Sequence, residues 1–231
     1  MDIEGSRFMV AGATGVIGGK VAAELDSRGA RLVLAGRDRE RLVAMGRELD
    51  CPVVPLDFSD PGSAQSALEL ACEELGGLDG LVVATGAVAF GDARELDPEV
   101  LARLIEANAS GPIHLITEAL GRIEPGGSVV AITAVVAEFP TAGMAAYSAS
   151  KAALAAFLAA TRRELRREVN VLEVSPGHME TGFADRALAG EPPKMPEGED
   201  VDALVAQIVE AIEQDRREIR YDPKARETTV K

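Results

Sequence analysis

Residues 7–19 read Arg-Phe-Met-Val-Ala-Gly-Ala-Thr-Gly-Val-Ile-Gly-Gly, and this stretch decides the fold. The mostly apolar run from Arg7 to Ala11 predicts a short buried strand, and a helical pattern continues from the glycines to Arg28. The glycines allow a tight turn in which backbone N–H groups and the helix N-terminus can approach a phosphate. A strand, a glycine-rich turn and a helix in this order are typical of the first unit of a dinucleotide-binding sheet.

The alternation of strand and helix continues along nearly the whole chain. This pattern favours parallel strands with helices on both faces, so we expect a single α/β domain over residues 1–231, a Rossmann-like doubly wound parallel sheet. Asp60-Pro61 and Asp97-Pro98 each predict the start of a helix, and the charged tail after Asp222 is expected to fray. Further strands are expected at Ala30–Ala35, Val53–Leu56, Leu81–Ala84, Gly127–Thr133 and Val169–Val174, with an edge strand at Glu218–Asp222.

Composition and charge exclude several classes of protein. A net charge of −14 argues against a nucleic-acid partner and against binding to an anionic membrane surface. No apolar run has the length of a membrane span, and Met1–Glu4 does not begin a secretion signal, so a cytoplasmic location is expected. Cys51 and Cys72 are interpreted as reduced packing residues, and no metal site is predicted.

Tyr147 and Lys151 form the candidate reactive pair. They stand four positions apart in a run of small helix formers, so their side chains lie one turn apart on one helix face. A free tyrosine titrates near ~10, and proton exchange near neutral pH requires its phenolate to be stabilised by roughly 2–3 pKa units. A neighbouring ammonium supplies part of that stabilisation. The spacing alone is also typical of a surface contact, so the flanking residues must decide between the two interpretations.

Those flanking residues read Tyr147-Ser-Ala-Ser-Lys151 and resemble the Tyr-x-Ala-Ser-Lys signature of the short-chain dehydrogenase/reductase family. The resemblance covers roughly residues 7–222. It implies that Tyr147 donates or accepts a proton, while Lys151 lowers the pKa of Tyr147 and holds the nicotinamide ribose. A nicotinamide cofactor carries the hydride in such a reaction. The implied reaction is the interconversion of a carbonyl compound and an alcohol.

The resemblance also implies a cofactor site along the carboxyl edge of the sheet. Gly12 and Gly18 match the family's phosphate turn, whereas Ala11 and Val16 stand where Thr and Gly are usual. We therefore expect a slightly altered turn with the same role. The expected cofactor-binding residues are Gly12, Thr14, Gly15, Val16, Ile17, Gly18, Arg37, Asp57, Gly86, Tyr147, Lys151, Pro176, Gly177 and Thr181.

Two later motifs contribute to that set. Gly86 ends Val83-Ala-Thr-Gly86, where relatives usually read Asn-Asn-Ala-Gly, and only its glycine is retained. Pro176, Gly177 and Thr181 match the family's Pro-Gly-x-x-x-Thr, whose backbone and Thr groups meet the nicotinamide carboxamide and the diphosphate.

The residues after the second strand favour NADP, with NAD as the less favoured cofactor. Gly36 leaves open the position at which a carboxylate would bind the adenine ribose of NAD, and Arg37 follows it. A basic cluster that solvates a helix beginning at Asp38 is the alternative explanation. By resemblance, Asp57 faces the adenine amino group.

Asn108 is the third expected catalytic residue. Pro112 lacks the N–H that would bond the Asn108 carbonyl, so a kink and a free carbonyl are expected there. The family places an Asn at this position, and the resemblance implies that it holds a water linked to Lys151. A helix that ends at Gly111-Pro112 would explain the proline equally well.

Ala134 departs from the family. Relatives carry a catalytic Ser thirteen residues before the Tyr, which is Ala134 here. Thr133 is the candidate replacement, but neighbouring strand side chains point to opposite faces, so a bulge or turn would have to re-aim it. Losing one hydrogen bond to developing charge costs about 1.5–3 kcal/mol, roughly ten- to a hundred-fold in rate. The alternatives are therefore a cofactor-binding protein with weak or no redox activity, and a non-redox enzyme such as an epimerase that retains its cofactor.

Apolar residues near the expected site favour a small apolar or aromatic ketone or alcohol as the substrate. Residues 183–198, rich in Gly and Pro, predict a mobile flap over it. The alanine-rich helix from Ala145 to Arg166 is apolar on several faces, so we expect one face to contact a second subunit in a homodimer or homotetramer. The apolar residues are Val88, Phe90, Val135, Phe139, Met144 and Met179.

Overall fold

A computed structural model describes all residues, 1–231, and contains one eight-stranded sheet. The spatial order of the strands is β3-β2-β1-β4-β5-β6-β7-β8, and every neighbouring pair is parallel except β7 with β8. The strands are β1 (Arg7–Ala11), β2 (Arg31–Gly36), β3 (Val53–Pro55), β4 (Leu78–Val83), β5 (Ile123–Ile132), β6 (Asn170–Ser175), β7 (Glu218–Asp222) and β8 (Glu227–Val230).

Helices cover both faces of the sheet, which confirms the predicted doubly wound architecture. Alternation along β1 explains the two layers, because Phe8 and Val10 pack into the core beneath α1 and α7, whereas Met9 packs into the core beneath α3, α5 and α6. No helix is both long enough and apolar enough to cross a bilayer. The helices are α1 (Val16–Ser27), α2 (Arg39–Glu48), α3 (Ser63–Leu75), α4 (Pro98–Ile105), α5 (Gly111–Leu120), α6 (Ala145–Glu164) and α7 (Val201–Glu213).

The strand order reverses at β1, which lies between β2 and β4. In an open α/β sheet, the crevice beyond the carboxyl ends of the strands at such a reversal is where ligands bind. The glycine turn after β1 and the segment after β4 therefore meet at the edge of the sheet where the sequence predicts the cofactor.

The segment between α4 and α5 differs from both sequence-based alternatives. The backbone stays helical from Pro98 to Leu120, and residues Glu106–Ser110 form one π turn in which the Gly111 N–H donates to the Glu106 carbonyl. A π turn inserts one residue per turn, and this local widening accommodates Pro112 without ending the helix. The alternative of a helix that stops at Gly111-Pro112 is therefore wrong.

Two other expectations are corrected. The chain after Asp222 does not fray, because Glu227–Val230 pairs antiparallel with β7, so β7 is not an edge strand. The Asp222 carboxylate accepts hydrogen bonds from the backbone N–H groups of Lys224 and Ala225, which holds the turn of this hairpin. Helix α3 begins at Ser63 instead of Asp60-Pro61, because Gly62 precedes it in a left-handed conformation with φ 88°.

Candidate active site

The glycine turn after β1 lies against the carboxyl end of β4. Gly12 has φ +83°, and a Cβ placed on it would lie 2.8 Å from the carbonyl carbon and oxygen of Ala84. A Cβ on Gly18 would lie 2.4 Å from the Gly12 oxygen, so neither position admits a side chain. Gly15 precedes α1, whose first turn has neither a side-chain cap nor an acidic residue. The uncapped N–H groups of this turn suit an anionic group such as a pyrophosphate.

Helix α6 carries Tyr147 and Lys151, which are 7% and 3% exposed. The Lys151 Nζ donates to the Ile132 carbonyl oxygen at 2.9 Å, which directs the ammonium toward the end of β5. A Cβ on Gly86 would lie 3.4 Å from that Nζ and 3.0 Å from the Asn108 Oδ1. The structure thus brings together three expected site residues from separate elements, namely Gly86, Asn108 and Lys151.

The Asn108 side chain joins the segment after β4 to α6. Its Oδ1 accepts from the Ala87 N–H at 2.9 Å, and its Nδ2 donates to the Ala87 oxygen and to the Ser150 Oγ. The Ser150 hydroxyl in turn donates to the Tyr147 carbonyl oxygen. This fully buried amide therefore sets the position of α6 relative to Gly86. Its expected part in holding a water stays a prediction.

Burial governs the pKa values of the reactive pair. Desolvation raises the pKa of Tyr147 above its ordinary value and lowers the pKa of Lys151 to about 8. The direction for Tyr147 is opposite to the lowering that the sequence resemblance implies. The physical reason is that the apolar surroundings disfavour the charged form of each group. In addition, the Lys151 ammonium donates its hydrogen bond to the Ile132 carbonyl and not to the Tyr147 hydroxyl.

Lys151→Met is expected to stabilise the fold at pH 7 by about 1–3 kcal/mol. The pKa of Lys151 is about 8 in the folded chain, below the usual ~10.4 of a lysine. Between these two pH values the unfolded chain therefore binds more protons than the folded chain. The stability of the wild type thus rises with pH across this window. Urea unfolding at pH 7 and at pH 10 measures the difference, which should shrink at the higher pH.

The control for this prediction is Lys224→Met, which removes an exposed ammonium from the β7–β8 turn. It should leave the free energy of unfolding nearly unchanged at both pH values. A Lys151→Met variant that is less stable than the wild type at pH 7 would contradict the account of burial.

Thr133 is not placed at the site, which corrects its assignment as a catalytic residue. Its hydroxyl is buried and lies 3.0 Å from the Glu173 Oε1 and 3.2 Å from the Val174 oxygen. Ala134 instead faces the apolar cluster that contains Tyr147. No bulge re-aims the chain here, so the ordinary alternation of side chains directs Thr133 away from the pocket.

Glu173 is a charged residue that the sequence analysis missed. Its carboxylate is 1% exposed, and burial raises its pKa, while the guanidinium groups of Arg162 and Arg220 lie 3.6 Å and 3.8 Å from its Oε2. The glutamate stands within a strand that otherwise reads as apolar, and only the tertiary structure reveals its partners. Glu173, Arg162 and Arg220 together form an ionic cluster around this buried carboxylate.

The Pro-Gly loop after β6 is held on two sides. The Val135 N–H donates to the Pro176 oxygen at 2.9 Å, and the Gly177 N–H donates to the Glu199 Oε2 at 3.2 Å. Glu199, which the sequence analysis did not single out, lies two residues before α7. Thr181 follows in the same loop and is half-buried.

The remaining expected cofactor residues line the first turn and the ends of β2 and β3. A Cβ on Gly36 would lie 3.5 Å from the Thr14 Oγ1, so these two residues are close neighbours. Arg37 is exposed beside them. The Asp57 Oδ1 accepts hydrogen bonds from the N–H and the hydroxyl of Ser59, so this carboxylate already has local partners.

An apolar cluster surrounds Tyr147. The Tyr147 and Phe183 rings are tilted by 53° with centroids 6.4 Å apart. Two of the expected pocket residues lie elsewhere, because Phe139 is 40% exposed and Met179 packs into the core beneath α1 and α7. The buried members of the cluster are Val88, Ala89, Phe90, Leu104, Ala134, Val136, Met144 and Tyr147.

Comparison with known protein families decides the identity of the fold. The model of the family described as short chain dehydrogenase matches residues 7–192. The chain belongs to the short-chain dehydrogenase family. As a member of that family, it is a nicotinamide-dependent oxidoreductase.

Individual members of the short-chain dehydrogenase family match this chain over nearly its full length. An uncharacterized oxidoreductase of Staphylococcus epidermidis is 27% identical over 93% of this chain and 96% of its own length. A short chain dehydrogenase of Burkholderia cenocepacia in complex with NADP is 24% identical, with TM-score 0.80 over 92% of both chains. A Burkholderia phymatum relative in complex with NAD is 21% identical, with TM-score 0.86 over 94% of this chain and 89% of the other.

Proposed function

We propose that the chain interconverts a small apolar or aromatic ketone and its alcohol with NADP as the cofactor. The observation that carries the proposal is the position of Tyr147, whose side chain lies inside an apolar cluster one helical turn from Lys151. An apolar pocket with one polar group suits a carbonyl compound that has few other polar groups.

The residues present can hold a dinucleotide. The uncapped first turn of α1 would bind the diphosphate, and the Lys151 ammonium beside Gly86 would bind ribose hydroxyls. A bound nicotinamide supplies a hydride to the carbonyl carbon or accepts one from the alcohol.

Tyr147 handles the proton that accompanies this transfer. Because burial raises its pKa, its hydroxyl stays protonated at neutral pH and can donate to the oxygen of a ketone that is being reduced. In the opposite direction the same oxygen receives the proton of the alcohol.

A spectroscopic titration tests the proposal directly. NADPH and NADH are titrated into the protein, and simple aliphatic and aromatic carbonyls are then screened for loss of the absorbance of the reduced cofactor. Binding of NADPH with turnover of at least one carbonyl supports the proposal. Absence of binding by either cofactor would exclude it.

The choice of NADP depends on the end of β2. Solved relatives bind NADP or NAD, so their cofactors support only the nicotinamide class. Gly36 has no side chain, and Arg37 is exposed next to it. A guanidinium pairs well with the ribose phosphate that distinguishes NADP.

Gly36→Asp is expected to weaken NADPH binding by about ten- to a hundred-fold and to strengthen NADH binding, because a carboxylate repels the phosphate but can bond the ribose hydroxyls. The backbone accepts a side chain here, since a Cβ would make only ordinary contact with Thr14. Dissociation constants from cofactor fluorescence measure both effects. Arg47→Ala, at the far end of α2, is the control and should change neither constant. A Gly36→Asp variant that keeps the wild-type preference would exclude this cofactor site.

A cofactor-binding protein with weak redox activity is the second candidate. Ala134 lies in the apolar cluster around Tyr147 and has no hydroxyl, and the Thr133 hydroxyl is bonded elsewhere. Neither residue therefore supplies a hydrogen bond that would hold the substrate oxygen. Restoring that hydroxyl separates the two candidates.

We also propose a homodimer or homotetramer in which the outer face of α6 contacts another subunit. The exposed residues of this face are small and recur at helical spacing, which permits close approach of a second helix. Sedimentation equilibrium measures the subunit number. The exposed residues are Ala145, Ala149, Ala153, Ala156 and Ala160.

A further inference from the structure

The Phe183 ring lies against Gly86, where the nicotinamide ribose of the proposed cofactor would bind. We propose that the Phe183 ring and the nicotinamide ribose compete for the same space beside Gly86, so that binding of the cofactor requires the ring to move. This inference rests on the proposed function, because it assumes that a nicotinamide cofactor binds against Gly86 and Lys151.

The contacts of Gly86 define this space. A Cβ placed on Gly86 would lie 3.4 Å from the Lys151 Nζ and 3.6 Å from the Phe183 Cζ. The tip of the aromatic ring and the ammonium therefore face the same small patch of backbone. One carbon atom at this point would be in ordinary contact with the ring, but a ribose bonded to Lys151 extends several atoms further and needs the space that the ring fills.

The same ring also packs against the proton donor. The centroid of the Phe183 ring lies 6.4 Å from that of Tyr147, within the range of aromatic contact. Phe183 thus lies near both Gly86 and Tyr147. Its apolar ring removes water from this region, which agrees with the desolvation that shifts the pKa values of Tyr147 and Lys151.

The chain around Phe183 is bonded to a distant segment beyond the ring but only within its own turn next to it. The Gly182 carbonyl accepts from the Arg186 side chain and the Phe183 carbonyl from the Arg186 backbone N–H, so these bonds can move with the ring. On the carboxyl side, the Leu188 N–H donates to the Val88 oxygen at 2.8 Å, and the Phe90 N–H donates to the Ala189 oxygen at 2.9 Å. On the amino side, Gly182 is exposed and has φ +65°, a conformation that glycine adopts without strain. The ring can therefore rotate away about Gly182 while the backbone bonds to residues 88–90 persist.

This competition has a measurable consequence for affinity. If only the fraction of molecules with the ring displaced can bind NADPH, the observed dissociation constant exceeds the intrinsic one by the inverse of that fraction. Removal of the ring abolishes this penalty. A ligand that contains only the adenine half of the cofactor does not reach Gly86, so its affinity does not depend on the position of the ring.

Isothermal titration calorimetry of the full chain with two ligands tests the inference. For Phe183→Ala we expect NADPH to bind about 3- to 30-fold more tightly than to the wild type, whereas 2′,5′-ADP should bind equally to both proteins. Phe139→Ala is the matched control, because this phenylalanine is 40% exposed and lies outside the apolar cluster. It should change neither affinity.

The other possible results distinguish failure of this inference from failure of the proposed function. Unchanged or weaker NADPH binding by Phe183→Ala would overturn the inference, and so would an equal gain for both ligands, which would indicate general loosening. If neither ligand binds the wild type or the variant, the proposed function itself fails. Tight binding of both ligands by the wild type together with an unaffected variant leaves the proposed function standing and excludes only the competition.

A second variant reports the motion by fluorescence instead of by affinity. The chain contains no Trp, so Phe183→Trp introduces a single indole at the ring position. We expect its emission maximum to shift to longer wavelength when NADP⁺ is added, because the displaced indole meets water, and to stay constant with 2′,5′-ADP. An emission maximum that stays constant with saturating NADP⁺ would also overturn the inference.

Discussion

Replacement of Tyr147 by Phe is expected to lower the turnover of carbonyl reduction by about 10²- to 10⁴-fold, the usual contribution of a positioned proton donor. The substitution removes one hydroxyl and keeps the ring that packs in the apolar cluster. The affinity for NADPH should stay within about twofold, and the stability should change little, because the packing of the ring is retained.

Turnover with a carbonyl found in the screen and NADPH affinity must be measured on the same preparation. The chain contains two tyrosines, and Tyr221→Phe in β7 is the matched control. It removes an equivalent hydroxyl and should keep wild-type turnover. Substantial turnover by Tyr147→Phe would mean that another group transfers the proton, and the proposed role of Tyr147 would be wrong.

Ala134→Ser is expected to raise turnover by about ten- to a hundred-fold, the effect of one added hydrogen bond to developing charge. Ala134 is 9% exposed and packs in the cluster with Tyr147, so a hydroxyl added there enters the pocket. Thr133 cannot supply this bond, since its hydroxyl lies against Glu173 on the other side of the chain. The added hydroxyl should cost about 1 kcal/mol of stability, because it is buried among apolar groups.

The control for this gain is Ala137→Ser, three residues further along the chain. Ala137 is half-buried and lies outside the apolar cluster, so its hydroxyl should leave turnover unchanged. A large gain for Ala134→Ser over a measurable wild-type turnover would show that the missing hydroxyl slows the natural enzyme, whereas turnover in Ala134→Ser alone would favour the second candidate function. Equal turnover of Ala134→Ser and wild type would contradict our expectation and would indicate that a different donor already holds the substrate oxygen.

The sequence and the structure agree where the determinant is local. The strand, glycine turn and helix from Arg7 onward were predictable, because apolar periodicity and the absence of side chains at Gly12 and Gly18 act over a few residues. The pairing of Tyr147 with Lys151 on one face of α6 follows from helical geometry in the same way. The alternation of side chains along a strand by itself also argues against a role for Thr133.

The differences arise where residues distant in the chain meet. Pairing of β8 with β7 is a local exception, which the sequence left open because the polar and charged sequence of this hairpin is also typical of a tail. The Asn108 side chain in the π turn bonds to Ala87 and Ser150, which lie 21 and 42 residues away in the chain. Phe183 reads in sequence as one apolar residue in a loop, and its contact with Tyr147 exists only in the folded chain.

The sequence alone determined the family and the alternation of strands and helices as far as Asp222, and it marked Tyr147 and Lys151 as candidate reactive residues, because each depends on short-range pattern. The tertiary structure alone decided the electrostatic state of those side chains. Tyr147 and Lys151 have opposite pKa shifts because several elements jointly exclude water from them. Desolvation is a property of all the surrounding atoms together, and no short stretch of sequence specifies it.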